Sequence, residues 1–203
     1  MRKLLHVNAS PRGAASSSYQ AGQETVAHLL RREPSLQIFE RCLGMAPLPH
    51  LDAAWNAASL MPAAARGDQE HSILALSEEL IGELETADMV LISTPMHNFS
   101  LPATLKTWVD YVVRPNRTFH STPDGKIGLL KNRPVRIIVS SGGALEPPAS
   151  WQPDFITPYL HHIFGTLGVG DVEVIRLDNM NRGPDAVATS RARFAHWLAG
   201  FRF

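Results

Sequence analysis

The sequence predicts an α/β protein of three layers: a parallel sheet of five strands, in the order 2-1-3-4-5, with helices on both faces. Three observations carry this. Short apolar runs alternate with longer segments whose apolar residues recur at the helical period, the pattern of consecutive βαβ units. The run Met89 to Ile92 reads as a buried strand that breaks at Ser93-Thr94-Pro95 into a short loop and then a helix start at Ser100-Leu101-Pro102. At 203 residues the chain suits one domain, residues 1–203, with a core that needs no disulfide or metal staple.

The elements follow in order. Leu4 to Asn8 is the first strand, and a loop of Ala9 to Gly13 leads through Ser16-Ser17-Ser18 into a helix from about Tyr19 to Arg32 with Val26, Leu29 and Leu30 as its apolar stripe. Serine is a favoured N-cap, which places the helix start at this cluster. Leu36 to Cys42 is the second strand. Residues 43–67 are the least regular, punctuated by Gly44, Pro47, Pro49, Pro62 and Gly67, with a short helix at Asp52 to Leu60. A stronger helix spans Asp68 to Glu85, where Ile73, Leu76, Leu80 and Leu84 share a face. Its acids Glu78-Glu79 and Glu83-Glu85 read as a solvated surface.

After the strand at Met89, the next helix presents Leu101, Leu105, Trp108, Val109 and Val112 on one side. Arg114 to Arg133 is an excursion rich in turn residues, too long for a simple connection, and so expected to lie over something. Val135 to Ser140 is the fourth strand, ending in Ser141-Gly142-Gly143. A proline-rich loop, Ala144 to Pro153, precedes a helix at Phe155 to Leu167. Val172 to Leu177 is the fifth strand and Pro184 to Leu198 the last helix. Five strands in this alternation, with right-handed crossovers, fit the flavodoxin-like order.

Composition narrows the function. Lys plus Arg and Asp plus Glu each number 19, so the net charge is zero. This argues against a general nucleic-acid binder, a polybasic membrane anchor and a strongly acidic carrier. No run approaches the roughly 18 apolar residues of a membrane span, and the N-terminus enters a strand without a signal-like apolar segment. The single cysteine, Cys42, cannot form an internal disulfide, which points to a reducing compartment, the cytoplasm. It reads as a small buried hydrophobe. Metal is a poor reading: His161 and His162 are adjacent on a helix and point about 100° apart, and there is no H-E-x-x-H or Cys pair.

In the predicted strand order, strands 1, 3 and 4 are neighbours, and loops at their carboxyl ends converge where open α/β sheets hold ligands. The first loop offers Ser10, Arg12, Ser16, Ser17 and Ser18 at a helix N-terminus, a phosphate site in the making. It lacks the Walker lysine and the G-x-G-x-x-G pattern, so it suits a monoester phosphate better than a pyrophosphate. The second loop is Pro95-Met96-His97-Asn98-Phe99: Asn98 both donates and accepts, and Met96 and Phe99 can form an apolar wall. The third, Ser140-Ser141-Gly142-Gly143, allows close backbone approach, with N–H groups available to an electron-rich ring edge. Each loop taken alone is equally a local feature: a serine N-cap, a strand-to-helix turn, a tight glycine turn. No Ser-His-Asp or Cys-His set stands at a readable spacing.

Together the three loops carry a resemblance. Ser10-Pro11-Arg12-Gly13 with Ser16 to Ser18, then Pro95 to Ala103 as P-M-x-N-F-x-x-P-A, then Leu105 to Asp110, Thr118-Phe119, Gly125, Gly128-Leu129-Leu130 and Ser140 to Gly143 stand in order. Asp154-Phe155, Pro158-Tyr159-Leu160, Phe164-Gly165 and Leu167-Gly168 complete the set. The chain resembles the FMN-dependent NADH azoreductases, flavodoxin-like NAD(P)H:quinone oxidoreductases of bacteria, over nearly its whole length. The resemblance implies a non-covalent FMN with its phosphate at Ser10 and Ser16 to Ser18, the flavin along Met96 to Phe99, and its pyrimidine edge at Ser140 to Gly143. It implies NADH or NADPH as donor, a quinone or azo acceptor in a two-electron ping-pong cycle, and no obligatory acid or base side chain, with His97 a possible proton source. It also implies a homodimer, with the helix from Pro102 a candidate dimer surface and the excursion near Phe119 covering the flavin and substrate pocket. The chain departs from the family at His97, where tyrosine is common, and at Ser141, where arginine is frequent. Two rival readings are a flavodoxin-type electron carrier and a flavin-free α/β protein that binds a phosphorylated metabolite.

Overall fold

In the computed structural model, which describes residues 1–145 and 152–202, the apolar runs become the middle of the sheet. β1 (Lys3–Asn8), β3 (Met89–Pro95) and β6 (Val135–Ser140) lie side by side, flanked by β2 (Gln37–Cys42) and β7 (Val172–Leu177). The order is β2-β1-β3-β6-β7, all parallel, which is 2-1-3-4-5 once two strands outside this sheet are set aside. The central strands are buried on both faces, whereas the edge strands β2 and β7 are largely exposed or half-buried.

Side chains leave each strand alternately to two cores. Leu5 and Val7 of β1 point to a core shared with α3 (Asp68–Thr86), α4 (Ala103–Val112) and α5 (Ile156–Leu167), while Leu4 points to a second core with α1 (Ser17–Arg32) and α6 (Pro184–Gly200). α2 (Ala53–Leu60) packs on α3 and closes the irregular segment 43–67; Arg66 caps it by donating to the carbonyls of Ala58 (3.1 Å) and Ser59 (3.1 Å).

Several expectations need correction. β3 runs three residues past Ile92, because Ser93 and Thr94, though polar, are fully buried. Ser93 Oγ bonds His6 Nε2 at 2.9 Å and Thr94 Oγ1 donates to the Pro95 carbonyl at 3.0 Å, which removes the cost of burying them. On α1, Leu30 is exposed; the buried face is Ala21, Gly22, Thr25, Val26 and Leu29. The helix lies so close to the sheet that a Cβ on Gly22 would come 2.1 Å from Ser93 Oγ, so small residues set the distance. Cys42 is half-buried rather than buried; burial and the neighbouring Glu40 push its thiol pKa up, away from reactivity.

The acids of α3 are not simply solvated. Glu79 and Glu83 pair with Arg41, Glu78 with Arg114 and Arg117, and Glu85 with Arg117. The excursion contains a hairpin, β4 (Phe119–Thr122) and β5 (Gly125–Gly128). It lies over the end of α5: Leu130 N–H donates to the Leu167 carbonyl at 3.0 Å, and a Cβ on Gly128 would come 1.9 Å from the Gly168 nitrogen. On α4, Leu105, Trp108, Val109 and Val112 are fully buried in the chain's own core. That face therefore cannot double as a dimer surface. Most of the proline-rich loop expected at 144–153 lies outside the described residues.

Candidate functional site

Strand register brings the three loops level. Asn8 is paired with Ser93 and Pro95 with Ser140, and the backbone pairing continues beyond them: Ala9 N–H donates to Ser93 (2.9 Å) and Met96 N–H to Ser140 (2.7 Å). Between the loops lies a cleft of about 290 Å³, lined by Ser10, Arg12, Ser16, Ser17, Pro95, Met96, His97, Ser140, Ser141, Gly142, Met180 and Asn181. Among the described residues the lining holds one guanidinium and no carboxylate.

The first loop is held from both sides. Ser10 N–H donates to Asn8 Oδ1 (3.1 Å), Arg12 N–H to Ser10 Oγ (3.3 Å), and Thr104 Oγ1 to the Ala9 carbonyl (3.3 Å). Gly44 packs against it so closely that a Cβ there would come 2.0 Å from the Ser10 carbonyl oxygen. Ser16 is the N-cap of α1, accepting from Tyr19 N–H and sharing a hydrogen bond with Ser18 Oγ at 3.1 Å. The N–H groups of Ser17 and Ser18 meet no acceptor among the described residues, and Arg12 is exposed without a carboxylate partner. Free helix-start donors beside a free guanidinium attract an anion.

The second loop is a two-residue hairpin turn. His97 and Ser100 exchange both backbone hydrogen bonds at 3.0 Å, and Asn98 and Phe99 between them have φ of 47° and 70°. Two positive φ values define the type I′ turn, for which Asn-Gly is the favoured pair. Phe99 there is strained, since a bulky side chain rarely adopts this region. The turn exposes His97, Asn98 and Phe99.

The third loop is fixed by the loop that follows β7. Asn179, Met180 and Asn181 donate their N–H groups to the carbonyls of Gly143 (3.1 Å), Ser141 (3.0 Å) and Gly142 (3.1 Å). Ser141 Oγ donates to the Gly143 carbonyl as well, at 2.6 Å. The carbonyls are thus occupied, while the N–H groups of Gly142 and Gly143 have no acceptor among the described residues. Side chains are excluded here: a Cβ on Gly142 would come 2.7 Å from Asn181 Nδ2, and one on Gly143 2.7 Å from Gln152 Oε1.

Of the residues singled out in the sequence, ten line the cleft directly: Ser10, Arg12, Ser16, Ser17, Pro95, Met96, His97, Ser140, Ser141 and Gly142. Ser18 is buried behind Ser16, Asn98 and Phe99 sit on the adjoining turn, and Gly143 is covered by Gln152. Phe119 does not reach the cleft; its ring is buried in the hairpin, with Lys126 Nζ 4.9 Å from its centre. Met180 and Asn181 were not foreseen. A larger groove of about 550 Å³ runs beside α6, but its Arg136 already pairs with Asp171 (2.8 Å) and Glu173 (3.1 Å), and its Arg193 with Asp178.

A doubly wound parallel sheet with a donor-rich cleft at its strand ends, and no carboxylate among the described residues that line it, has the architecture of the open α/β proteins that take ligands at a topological switch point. The chain belongs to the family described as having a flavodoxin-like fold, whose model matches residues 2–200. It is 54% identical over 197 residues to FMN-dependent NADH:quinone oxidoreductase 2 of Cupriavidus pinatubonensis, covering 97% of this chain and 96% of that one. It is 48% identical over 187 residues to FMN-dependent NADH:quinone oxidoreductase 4 of Pseudomonas fluorescens, covering 92% and 89%. Among solved structures it is similar in fold to the azoreductase from Bacillus anthracis strain Sterne, with a TM-score of 0.86 at 23% identity over 98% of both chains. The FMN complex of an FMN-dependent NADH-azoreductase from Bacillus anthracis superposes at a TM-score of 0.84 with 22% identity, covering 98% and 99%.

Proposed function

We propose that this chain is an FMN-dependent NADH:quinone oxidoreductase that also reduces azo compounds. The observation that carries the reading is the set of unpaired donors around the cleft, which match the acceptors of FMN. Ser10, Ser16, Ser17, Arg12 and the first N–H groups of α1 would hold the phosphate, with Ser18 positioning Ser16. Pro95, Met96 and His97 would lie along the ring system, with Asn98 and the strained Phe99 at its margin. Ser140, Ser141 and the N–H groups of Gly142 and Gly143 would meet the pyrimidine edge.

The residues fit that group: the N–H groups of Gly142 and Gly143 have no acceptor among the described residues, and the described lining adds no carboxylate to repel a phosphate. The chemistry FMN supplies when bound is two-electron hydride transfer from NADH to a quinone or azo acceptor. The chain binds, orients and stabilises charge. Donors aimed at the pyrimidine edge favour a negatively charged ring, and His97, exposed at the cleft, can exchange protons with solvent. Residues 1–203 act as one FMN-binding unit.

The chain works as a homodimer in the cytoplasm. The dimer is supported by the resemblance and by two exposed aromatics at the cleft rim, Phe99 and Phe155, whose backbones are hydrogen-bonded at 3.2 Å. The location is supported by the single unpaired thiol. No described helix is long and apolar enough to cross a membrane.

The test is steady-state oxidation of NADH by a quinone, with and without added FMN, for the natural chain and Asn98→Ala. FMN-dependent turnover that falls in the variant supports the reading. No turnover with FMN present, or unchanged FMN affinity and rate in Asn98→Ala, removes the activity or that residue respectively.

A further inference from the structure

The loop after β7 was not singled out in the sequence, yet it is bound to the third loop by three backbone hydrogen bonds. A turn closes it, with Arg182 N–H donating to the Asn179 carbonyl at 3.0 Å and Asn179 in the left-handed region at φ 60°. Gly183, also at positive φ (94°), then starts α6. This fixes where Arg182 stands. Its Nη2 lies 3.9 Å from the position a Cβ on Gly143 would occupy. Among the described residues no carboxylate pairs with it, although Arg176, Arg191 and Arg193, on β7 and α6, all have one. The chain therefore holds an uncompensated positive charge against the loop whose free N–H groups face the cleft.

We infer that Arg182 supplies the positive charge beside the pyrimidine edge of the bound flavin and thereby favours its reduced, anionic form. The inference rests on the FMN reading above. Backbone N–H groups provide only partial charges at this edge, and Ser141 is neutral and already committed to the Gly143 carbonyl. Arg182 is exposed, and a full charge close to a developing anion at the protein surface, partly screened by solvent, changes the equilibrium on the order of tenfold. Because the guanidinium comes from a neighbouring loop, it acts without occupying the cleft itself.

The experiment measures dissociation constants of oxidised and reduced FMN and the midpoint potential of the bound flavin, for the natural chain, Arg182→Gln, Arg182→Lys and Arg202→Gln. Arg182→Gln is expected to bind oxidised FMN within about twofold of the natural chain and reduced FMN about tenfold more weakly, which for two electrons is about 30 mV lower in potential. Arg182→Lys keeps the charge and should recover most of the shift. Arg202→Gln removes the same charge near the C-terminus and should leave the potential unchanged. The inference is overturned by an Arg182→Gln potential equal to that of the natural chain, by equal weakening of both redox states, or by an Arg202→Gln shift of the same size. A natural chain that takes up no FMN overturns the functional reading along with it; uptake without a shift in Arg182→Gln overturns only this inference.

Discussion

Along the outer face of α3, Arg117 holds Glu78 at 2.8 Å and Glu85 at 2.6 Å, and Arg41 holds Glu79 at 2.6 Å. At the strand ends, Arg12 and the N–H groups of Ser17, Ser18, Gly142 and Gly143 face no carboxylate among the described residues. The same residue types serve two purposes. On α3 the charges close on one another: Arg117 holds the Glu85 carboxyl below the usual range, and Arg117 and Arg114 do so for Glu78 even though burial opposes them. Around the cleft the donors stay open to solvent in the free protein and are available to an anion that supplies the acceptors. The difference separates polar groups that hold the fold from polar groups that await a ligand.

Neutralising Glu78 tests the closed side. Arg114 is fully buried, with Ser77 Oγ (3.0 Å) and Glu78 (2.8 Å) as partners of one nitrogen. Glu78→Gln leaves that cation without its counter-charge and should cost about 3 kcal/mol in denaturant unfolding, with FMN affinity unchanged within about twofold. A large change in FMN affinity would mean that the two regions are coupled.

His6 lies between the regions, on β1 beneath α1. Burial pushes its pKa down from 6.5 to about 4, with the charge of Glu40 pulling the other way. The unfolded chain therefore takes up this proton first as pH falls. Stability from His6 is complete above pH 6.5 and is lost as pH drops toward 4, by roughly 3 kcal/mol in total. Unfolding free energies across this window should slope with pH in the natural chain and lose that slope in His6→Gln.

Gly44→Ala tests the open side. The added Cβ would press on the Ser10 carbonyl from 2.0 Å, so the first loop must move. About 2 kcal/mol of stability and on the order of tenfold in FMN affinity should go together. A loss of stability alone would remove Ser10 from the phosphate site.

The smallest effect has the opposite sign. Phe99→Gly places the favoured Asn-Gly pair in the type I′ turn and relieves the strain at φ 70°. The variant should be about 1 kcal/mol more stable while binding FMN more weakly, as expected where strain serves a site. Higher stability with unchanged FMN binding would make the turn purely structural.

Much of the fold was legible because it rests on periodicity. The apolar runs of β1, β3 and β6 and the helical stripe of α4 state their own burial; on α3 Leu80 and Leu84 are buried as read, while Ile73 and Leu76 are half-buried and Leu74 and Ile81 complete the buried face. What escaped depends on pairing between distant residues. Ser93 and Thr94 read as a strand end because their partners, His6 and the Pro95 carbonyl, are not visible in hydropathy. The α3 acids read as solvated because Arg41, Arg114 and Arg117 come from other segments. The strand-end loops were legible from topology alone, as were most of the cleft residues. The loop of Met180, Asn181 and Arg182 carried the same signal, since it leaves the carboxyl end of a sheet strand, but the strand stands at the sheet edge and its loop reaches inward only through its hydrogen bonds to residues 141–143.

The most direct measurement is an anaerobic titration of the protein, purified with FMN added, followed by flavin absorbance after unbound FMN is removed. The account predicts retained FMN, bleaching by an equimolar amount of NADH, and recovery of the oxidised spectrum on adding an equimolar quinone. A protein that retains no flavin, or retained FMN that NADH does not bleach, would contradict it.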